Sequence, residues 1–213
     1  ITLAGQLAIK WAERAVNNEM QKLLNTDEDY VVAIDTDSVY IRMGNLVDHF
    51  SPKNPVKFLD KICSEHFEPV LDKAYQQLAD VTCAYTNRME MGREVIADRG
   101  IWMAKKRYIL NVHNNEGVQY KNPKLKMMGI EAIKSSTPQI VRDKFQEIFR
   151  VIVEKSEDDT QQFIREFRTD FRKLPAEDIS FPRGVSDVAK WTDRPTTYKT
   201  GTPNQVRGPI YHH

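Results

Sequence analysis

Val31-Val32-Ala33-Ile34-Asp35-Thr36-Asp37-Ser38-Val39-Tyr40-Ile41-Arg42 is the stretch that decides the fold. Val31 to Ile34 and Val39 to Ile41 are β-branched or aromatic enough to read as strands, and Asp-Thr-Asp-Ser supplies turn chemistry between them. The pattern predicts a β-hairpin with carboxylates at its tip. In extended backbone, residues two apart leave the same face, which would bring Asp35 and Asp37 together. Two like charges that close repel, and one takes up a proton unless a cation lies between them. Magnesium, which takes one or two carboxylates plus waters and substrate phosphates, resolves the conflict. The chemistry that follows is metal-assisted phosphoryl or nucleotidyl transfer. Asp and Ser also populate ordinary solvated turns, so the spacing alone leaves both readings open.

Outward from the hairpin, 213 residues suffice for one large or two small domains with a proper core. Lys and Arg number 31 against 30 Asp and Glu, so net charge predicts no nucleic-acid partner and only its distribution can. No stretch is long and apolar enough to span a membrane, and no signal-peptide pattern is present, which suggests a cytoplasmic protein. Cys63 and Cys83 lack metal-ligand spacing and read as reduced thiols. The chain opens on Ile1 within a helical pattern, which suggests a piece of something longer.

Leu7, Ala8, Trp11, Ala12 and Ala15 repeat at helical spacing and end before Thr26-Asp27-Glu28-Asp29. After Ser51-Pro52-Lys53-Asn54-Pro55 a helix carries Phe58, Leu59, Ile62 and Phe67, with Pro69 expected to kink or break it. Val70, Leu71 and Tyr75 resume the pattern. Met89 to Val95 and Ile101 to Val112 then alternate as strands around an Asp98-Arg99-Gly100 turn. His113-Asn114-Asn115-Glu116-Gly117 reads as another turn before Val118-Gln119-Tyr120, and Leu125 to Ile130 as one more strand. The fold class is α+β, with one antiparallel sheet carrying both the acidic tip and a basic strand. From Thr137-Pro138, a helix start with Thr as N-cap, the character turns helical. Val141, Phe145, Ile148, Phe149 and Ile152 form one stripe; Phe163, Ile164, Phe167 and Phe171 form another, in a helix opened by Asp158-Asp159 and stopped by Pro175. Asp193 to Pro209 is rich in Thr, Pro and Gly and reads as loop, and His212-His213 carries no function. The expected boundary falls near Lys134, giving units 1–134 and 135–213.

Several stretches, in order, resemble the family B DNA polymerases of T-even-type bacteriophages. Asp35-Thr36-Asp37-Ser38 is similar to the Asp-Thr-Asp-Ser motif of the family's palm, and Gly5-Gln6-Leu7-Ala8-Ile9-Lys10-Trp11 to the helix before it. Trp102-Met103-Ala104-Lys105-Lys106-Arg107-Tyr108 resembles the Lys-Lys-x-Tyr segment. Lys124 to Glu131 with Ser135-Ser136-Thr137-Pro138 resembles the palm-to-thumb passage, and Val206-Arg207-Gly208 a thumb motif. The family usually carries Tyr-Gly directly before the first Asp; here Ala33-Ile34 stand there, and Gly permits backbone angles that Ile does not.

The resemblance implies an antiparallel palm sheet packed with helices over 1–134, followed by a mainly helical partial thumb over 135–213. It implies two magnesium ions in the complete site, with Asp37 as direct ligand, Asp35 as a second carboxylate, and Glu94 as an auxiliary acid; Asp37 and Thr36 would meet the nucleotide. An exposed strand glutamate is the competing reading of Glu94. Lys105, Lys106, Arg107 and Tyr108 read as one strand in which basic groups interleave with aromatics, as a nucleic-acid surface requires, with Lys106 and Tyr108 sharing a face with Trp102. By resemblance, Lys106 and Lys126 would reach acceptors on the minor-groove edge of DNA. Lys134, Arg142, Lys144, Arg165, Arg168 and Arg172 are candidate phosphate contacts, though charged rows on amphipathic helices are commonly solvent faces. Implied partners are primer-template DNA, a deoxynucleoside triphosphate, the N-terminal, exonuclease, fingers and remaining thumb segments, and a sliding clamp through a tail beyond His213. The implied location is the host cytoplasm.

No stretch resembles the family's other palm Asp in Asp-x-x-Ser-Leu-Tyr-Pro, its fingers motifs or its exonuclease acids, so the isolated chain is expected to be inactive. Two other readings stay open. The chain is a DNA-binding or subunit-docking module without catalysis, or Asp35-Thr36-Asp37-Ser38-Val39 is the Asp-x-Asp-x-Val pattern of a haloacid-dehalogenase-like phosphatase. That fold needs a parallel sheet, whereas Val39-Tyr40-Ile41 follows the acids at once.

Overall fold

The computed structural model describes residues 2–192 and 197–212, and the chain divides into two compact units between Met128 and Gly129. The first unit opens with helix α1 (Thr2–Leu24), whose Ala8, Ile9, Ala12, Val16 and Met20 are buried at the predicted helical period. Leu7, expected on that face, is exposed. The hairpin follows as β1 (Val31–Asp35) and β2 (Ser38–Ile41), antiparallel, with Ile34 opposite Val39 and Asp35 opposite Ser38. This pairing is incompatible with the parallel arrangement that the phosphatase reading needs.

Helix α2 (Gly44–Phe50) has no counterpart in the sequence reading, being too short to show a period. Helix α3 (Pro55–Ile62) starts as the sequence predicts, with the Asn54 side chain accepting from the Lys57 N–H and Pro55 at the first helical position. The kink expected at Pro69 is absorbed instead by a π-helical turn over Cys63–Phe67, after which α4 (Glu68–Val81) continues. A one-residue widening of the helix removes the need for the amide that proline lacks. Ala12, Val16 and Met20 of α1, Phe67, Leu71, Tyr75 and Leu78 around α4, Tyr30 and Leu46 form one buried cluster, with Val39 and Ile41 of β2 packed against it.

Three longer strands form a second sheet in the order β3 (Val95–Ala104), β4 (Arg107–Asn115), β5 (Val118–Met128). The hairpin β1–β2 is a sheet of its own, so the single sheet read from the sequence is two. Residues 89–94 are irregular where a strand was expected. Their polar groups are tied to the helices and to β4: the Arg93 N–H donates to Glu68 Oε1 at 2.9 Å, and its guanidinium donates to Asp60 and to Asn114 Oδ1. Asp98-Arg99-Gly100 lies inside β3, because register shifts between Ile96 and Arg99 absorb the irregularity that the turn residues announce. Strand β5 runs continuously through Pro123, which an edge strand tolerates, and it ends where Gly129 turns to φ 64°.

The second unit is helical. A 3-10 turn (Glu131–Ile133) leads to α5 (Gln139–Glu154), which starts one residue later than the Thr cap predicted; Pro138 is the capping residue and Thr137 is buried. Helix α6 (Glu157–Phe171) carries a full capping box between Ser156 and Asp159. Lys144 of α5 lies over the Phe163 ring of α6, whereas Ile164, expected inward, is exposed. Pro175 opens a one-turn helix α7 (Ala176–Ile179). The tail expected to be loop ends in α8 (Asn204–His212), with Val206 and Ile210 buried. Of that stretch, residues 193–196 lie outside the described residues, as do Ile1 and His213.

Candidate active site

Two hairpin tips, one acidic and one basic, meet in the first unit. The acidic one is anchored at its base. The Arg42 N–H donates to the Tyr30 carbonyl at 2.7 Å, Tyr30 is fully buried with its hydroxyl 2.7 Å from Thr26 Oγ1, and Arg42 pairs with Glu28 at 2.6 Å. That rigid base presents Thr36-Asp37 as a two-residue turn. Thr36 adopts φ 47°, and the Asp37 N–H donates back to the Asp35 carbonyl, two residues away. A β-branched residue at positive φ inside so tight a turn is strained, and such strain collects at functional sites. Ile34, where the family usually has Gly, stays in regular strand opposite Val39. Extended strand backbone suits a β-branched residue, so Ile is accommodated there.

The acids are placed unequally. Asp35 ends β1 with a side chain 22% exposed, and Asp37 stands exposed in the turn. The common-face alternation expected of extended backbone therefore does not apply between them. Thr36 Oγ1 donates to Asp35 Oδ1 at 3.1 Å and Ser38 Oγ to Asp37 Oδ1 at 3.4 Å.

The basic tip corrects the sequence reading of residues 105–108 as one strand. Lys105 and Lys106 form the turn between β3 and β4, with Lys106 at φ 59°, and Arg107 begins β4. Trp102 pairs with Tyr108 across the hairpin, so the shared face holds for those two. Tyr108 is 6% exposed and belongs to the core, so it supports the tip from below and offers no surface. Lys106 Nζ reaches across to the acidic hairpin, 3.2 Å from Asp35 Oδ1 and 3.4 Å from Thr36 Oγ1.

Between the tips lies a cavity of about 280 Å³ lined by Ala33, Ile34, Asp35, Tyr40, Trp102, Met103, Lys106 and Tyr108 among others. Tyr40 of β2 projects into the three-stranded sheet. Its ring centroid lies 5.4 Å from Trp102, edge to face, and 5.5 Å from Tyr108. Burial first, then a hydrogen bond with Tyr108, then the nearby Asp35 and Glu94 carboxylates hold its phenol well above the ordinary tyrosine value. Glu94 sits in the irregular segment before β3, and its carboxylate pairs with Lys126 of β5. Two carboxylate–ammonium pairs, Asp35–Lys106 and Glu94–Lys126, thus lie close to one half-buried phenol. The sequence reading missed Tyr40; the signal available was Gly100-Ile101-Trp102, a glycine two residues from a large ring on the same strand face.

Among the described residues no group of three or more His, Cys, Asp or Glu is poised around one point. Magnesium is ordinarily held by only one or two protein carboxylates, with water and substrate phosphates supplying most ligands. In the second unit, Lys134 pairs with Glu131 and Lys144 with Glu147, while Arg165, Arg168 and Arg172 are exposed on or just after α6.

No family model matches the chain. It is 34% identical over 209 residues to the DNA-directed DNA polymerase of Enterobacteria phage T4, a match covering 91% of this chain and 23% of that protein. It is 35% identical over 206 residues to the DNA-directed DNA polymerase of Escherichia phage RB69, covering 90% and 23%. The chain spans less than a quarter of the length of these relatives. Among the described residues no helix is long and apolar enough to cross a membrane.

Proposed function

We propose, on the premise that this chain belongs to the T-even-type family B DNA polymerases, that it supplies the acidic hairpin and DNA-facing lysines of a polymerase active site. Residues 1–134 are assigned to the C-terminal part of the palm and 135–213 to the first part of the thumb. The complete enzyme transfers a nucleotide from a deoxynucleoside triphosphate to a DNA primer on a template, in the cytoplasm of the host. The observation that carries this reading is the strained Asp35-Thr36-Asp37 tip with the Lys106 ammonium 3.2 Å from Asp35. It sets a carboxylate and a cation side by side, with Asp37 exposed in the adjoining turn, as suits a reaction on anionic phosphates beside a DNA strand.

Asp37 is the direct magnesium ligand, with Asp35 behind it and Glu94 as an auxiliary carboxylate. Two magnesium ions, when bound, activate the primer 3′-hydroxyl and neutralise charge developing on the triphosphate. Thr36 and Asp37 orient the incoming nucleotide. Lys106 and Lys126 donate to acceptors on the minor-groove edge, where every base pair presents one. Lys105 and Arg107 flank them toward phosphates, and Tyr108 holds the hairpin from the core side. The other palm Asp and the fingers come from further segments, so the chain alone does not polymerise. Those segments, with the exonuclease and remaining thumb, are its partners.

A second reading is favoured by one observation. Asp35 and Glu94 already have lysine partners, as suits a module that binds primer-template or docks on another subunit without catalysis. Fluorescence anisotropy on a recessed-end primer-template, with single-stranded DNA as control and a salt series, tests both. Preference for the recessed duplex that weakens with salt and is lost in Lys106→Ala supports the DNA role. Nucleotide incorporation by the purified chain would overturn the assignment of an incomplete site. Incorporation restored by adding the remaining polymerase segments, and lost in Asp37→Asn, favours the palm over the non-catalytic module.

A further inference from the structure

The two sheets bearing Asp35 and Lys106 are not joined by a ladder among the described residues, so no backbone register fixes their separation. The Asp35–Lys106 pair does not fix it either. Lys106 is 61% exposed on a flexible four-carbon stem, and such a pair forms only where packing already brings the tips together. One side chain of the acidic hairpin, Tyr40, packs on the buried cluster of the other sheet.

We infer that Tyr40 is a positioning residue: its ring, lodged against Trp102 and Tyr108, holds the acidic tip against the basic tip and so sets Asp35 opposite Lys106. The inference rests on the polymerase reading for its consequence, not for its geometry. Tyr40 stands on β2 opposite Ala33, whose small side chain leaves the ring room to turn toward the other sheet. It packs on the Tyr108, Leu110 and Val112 cluster, and both of its ring contacts are of the tilted or edge-to-face kind that aromatic quadrupoles prefer. Trp102 is itself confined, because its ring lies over Gly100, where a Cβ would come within 2.6 Å of it. Trp102 precedes the Lys105-Lys106 turn on the same hairpin, so whatever seats its ring seats that turn.

The test reads proximity directly and needs no DNA. Asp35→Cys and Lys106→Cys are combined in a Cys83→Ser background, and the yield of cross-linking by a short bismaleimide is measured with Tyr40, Tyr40→Phe and Tyr40→Leu. Tyr40→Phe is expected to keep the yield within about twofold and Tyr40→Leu to lower it about tenfold, at unchanged far-UV circular dichroism, because the effective concentration of the second thiol falls. Equal yields in Tyr40→Leu and the parent overturn the inference. So does loss of fold in Tyr40→Leu, which would make Tyr40 a general core residue. Primer-template anisotropy separates this failure from that of the polymerase reading. Binding lost in Lys106→Ala but kept in Tyr40→Leu overturns the positioning role alone; Lys106→Ala without effect removes the DNA role and leaves the cross-linking result to stand.

Discussion

Lys106 holds its ammonium 3.2 Å from the Asp35 carboxylate across two sheets that no backbone ladder joins. The ammonium and the carboxylate thus partly neutralise each other. On the proposed DNA role, Asp35→Asn releases Lys106 and removes a negative charge that would repel the DNA backbone. In chelator it should raise primer-template affinity about threefold, within the modest worth of a partly exposed pair. The gain should vanish in a Lys106→Ala background. Anisotropy titrations on the four variants check it, and an equal gain in both backgrounds would refute the coupling.

Gly100 is needed for the space above it. The Cβ introduced by Gly100→Ala would lie 2.6 Å from the Trp102 ring and 2.8 Å from Leu110 Cδ2. The ring must move, at a cost of about 1–3 kcal/mol typical of overpacking. Urea denaturation should show that loss, and near-UV circular dichroism should report the disturbed Tyr40–Trp102–Tyr108 group.

The two cysteines should differ sharply. Burial pushes the Cys63 thiol up to about 11, while Cys83 is exposed. Since the thiolate is the reactive form, only Cys83 should alkylate in the native protein at about pH 8, and both in denaturant. Mass spectrometry of the modified chain counts them. Rapid labelling of Cys63 in the native state would contradict its burial.

Helix α6 depends on its cap. The Ser156 side chain accepts from the Asp159 N–H, and hydrogen bonds from Ser156 hold the Asp159 carboxyl below its ordinary value of 3.8. A carboxyl depressed on folding contributes stability that is full above the unfolded value and is lost as pH falls through the folded one. The carboxylate's share of the capping box should therefore fade below about pH 4, and this pH dependence should be absent in Asp159→Asn. Ser156→Ala should cost about 1 kcal/mol. Far-UV thermal melts across that range measure both effects.

What the sequence determined by itself was local. The hairpin at 31–41, the start of α3 at Pro55 and the acidic opening of α6 follow from residues a few positions apart, where β-branching, turn chemistry and capping act directly on the backbone. The polymerase kinship was legible too, because motifs such as Asp35-Thr36-Asp37-Ser38 are contiguous. Where tertiary hydrogen bonds compete with local preference, legibility ended. Arg93 tied to Asp60 and Glu68 keeps 89–94 out of the sheet, and buried Val206 marks a helix beginning in a segment whose composition reads as loop.

Only the tertiary structure decided the candidate site. It put Lys106 in a turn rather than on a strand, sank Tyr108 into the core, and brought Asp35, Lys106, Glu94 and Lys126 close to Tyr40. Periodicity reports which face of its own element a side chain occupies. Which two faces meet, and at what register, depends on packing between elements far apart in the chain, where no local hydrogen-bond pattern leaves a trace in the sequence.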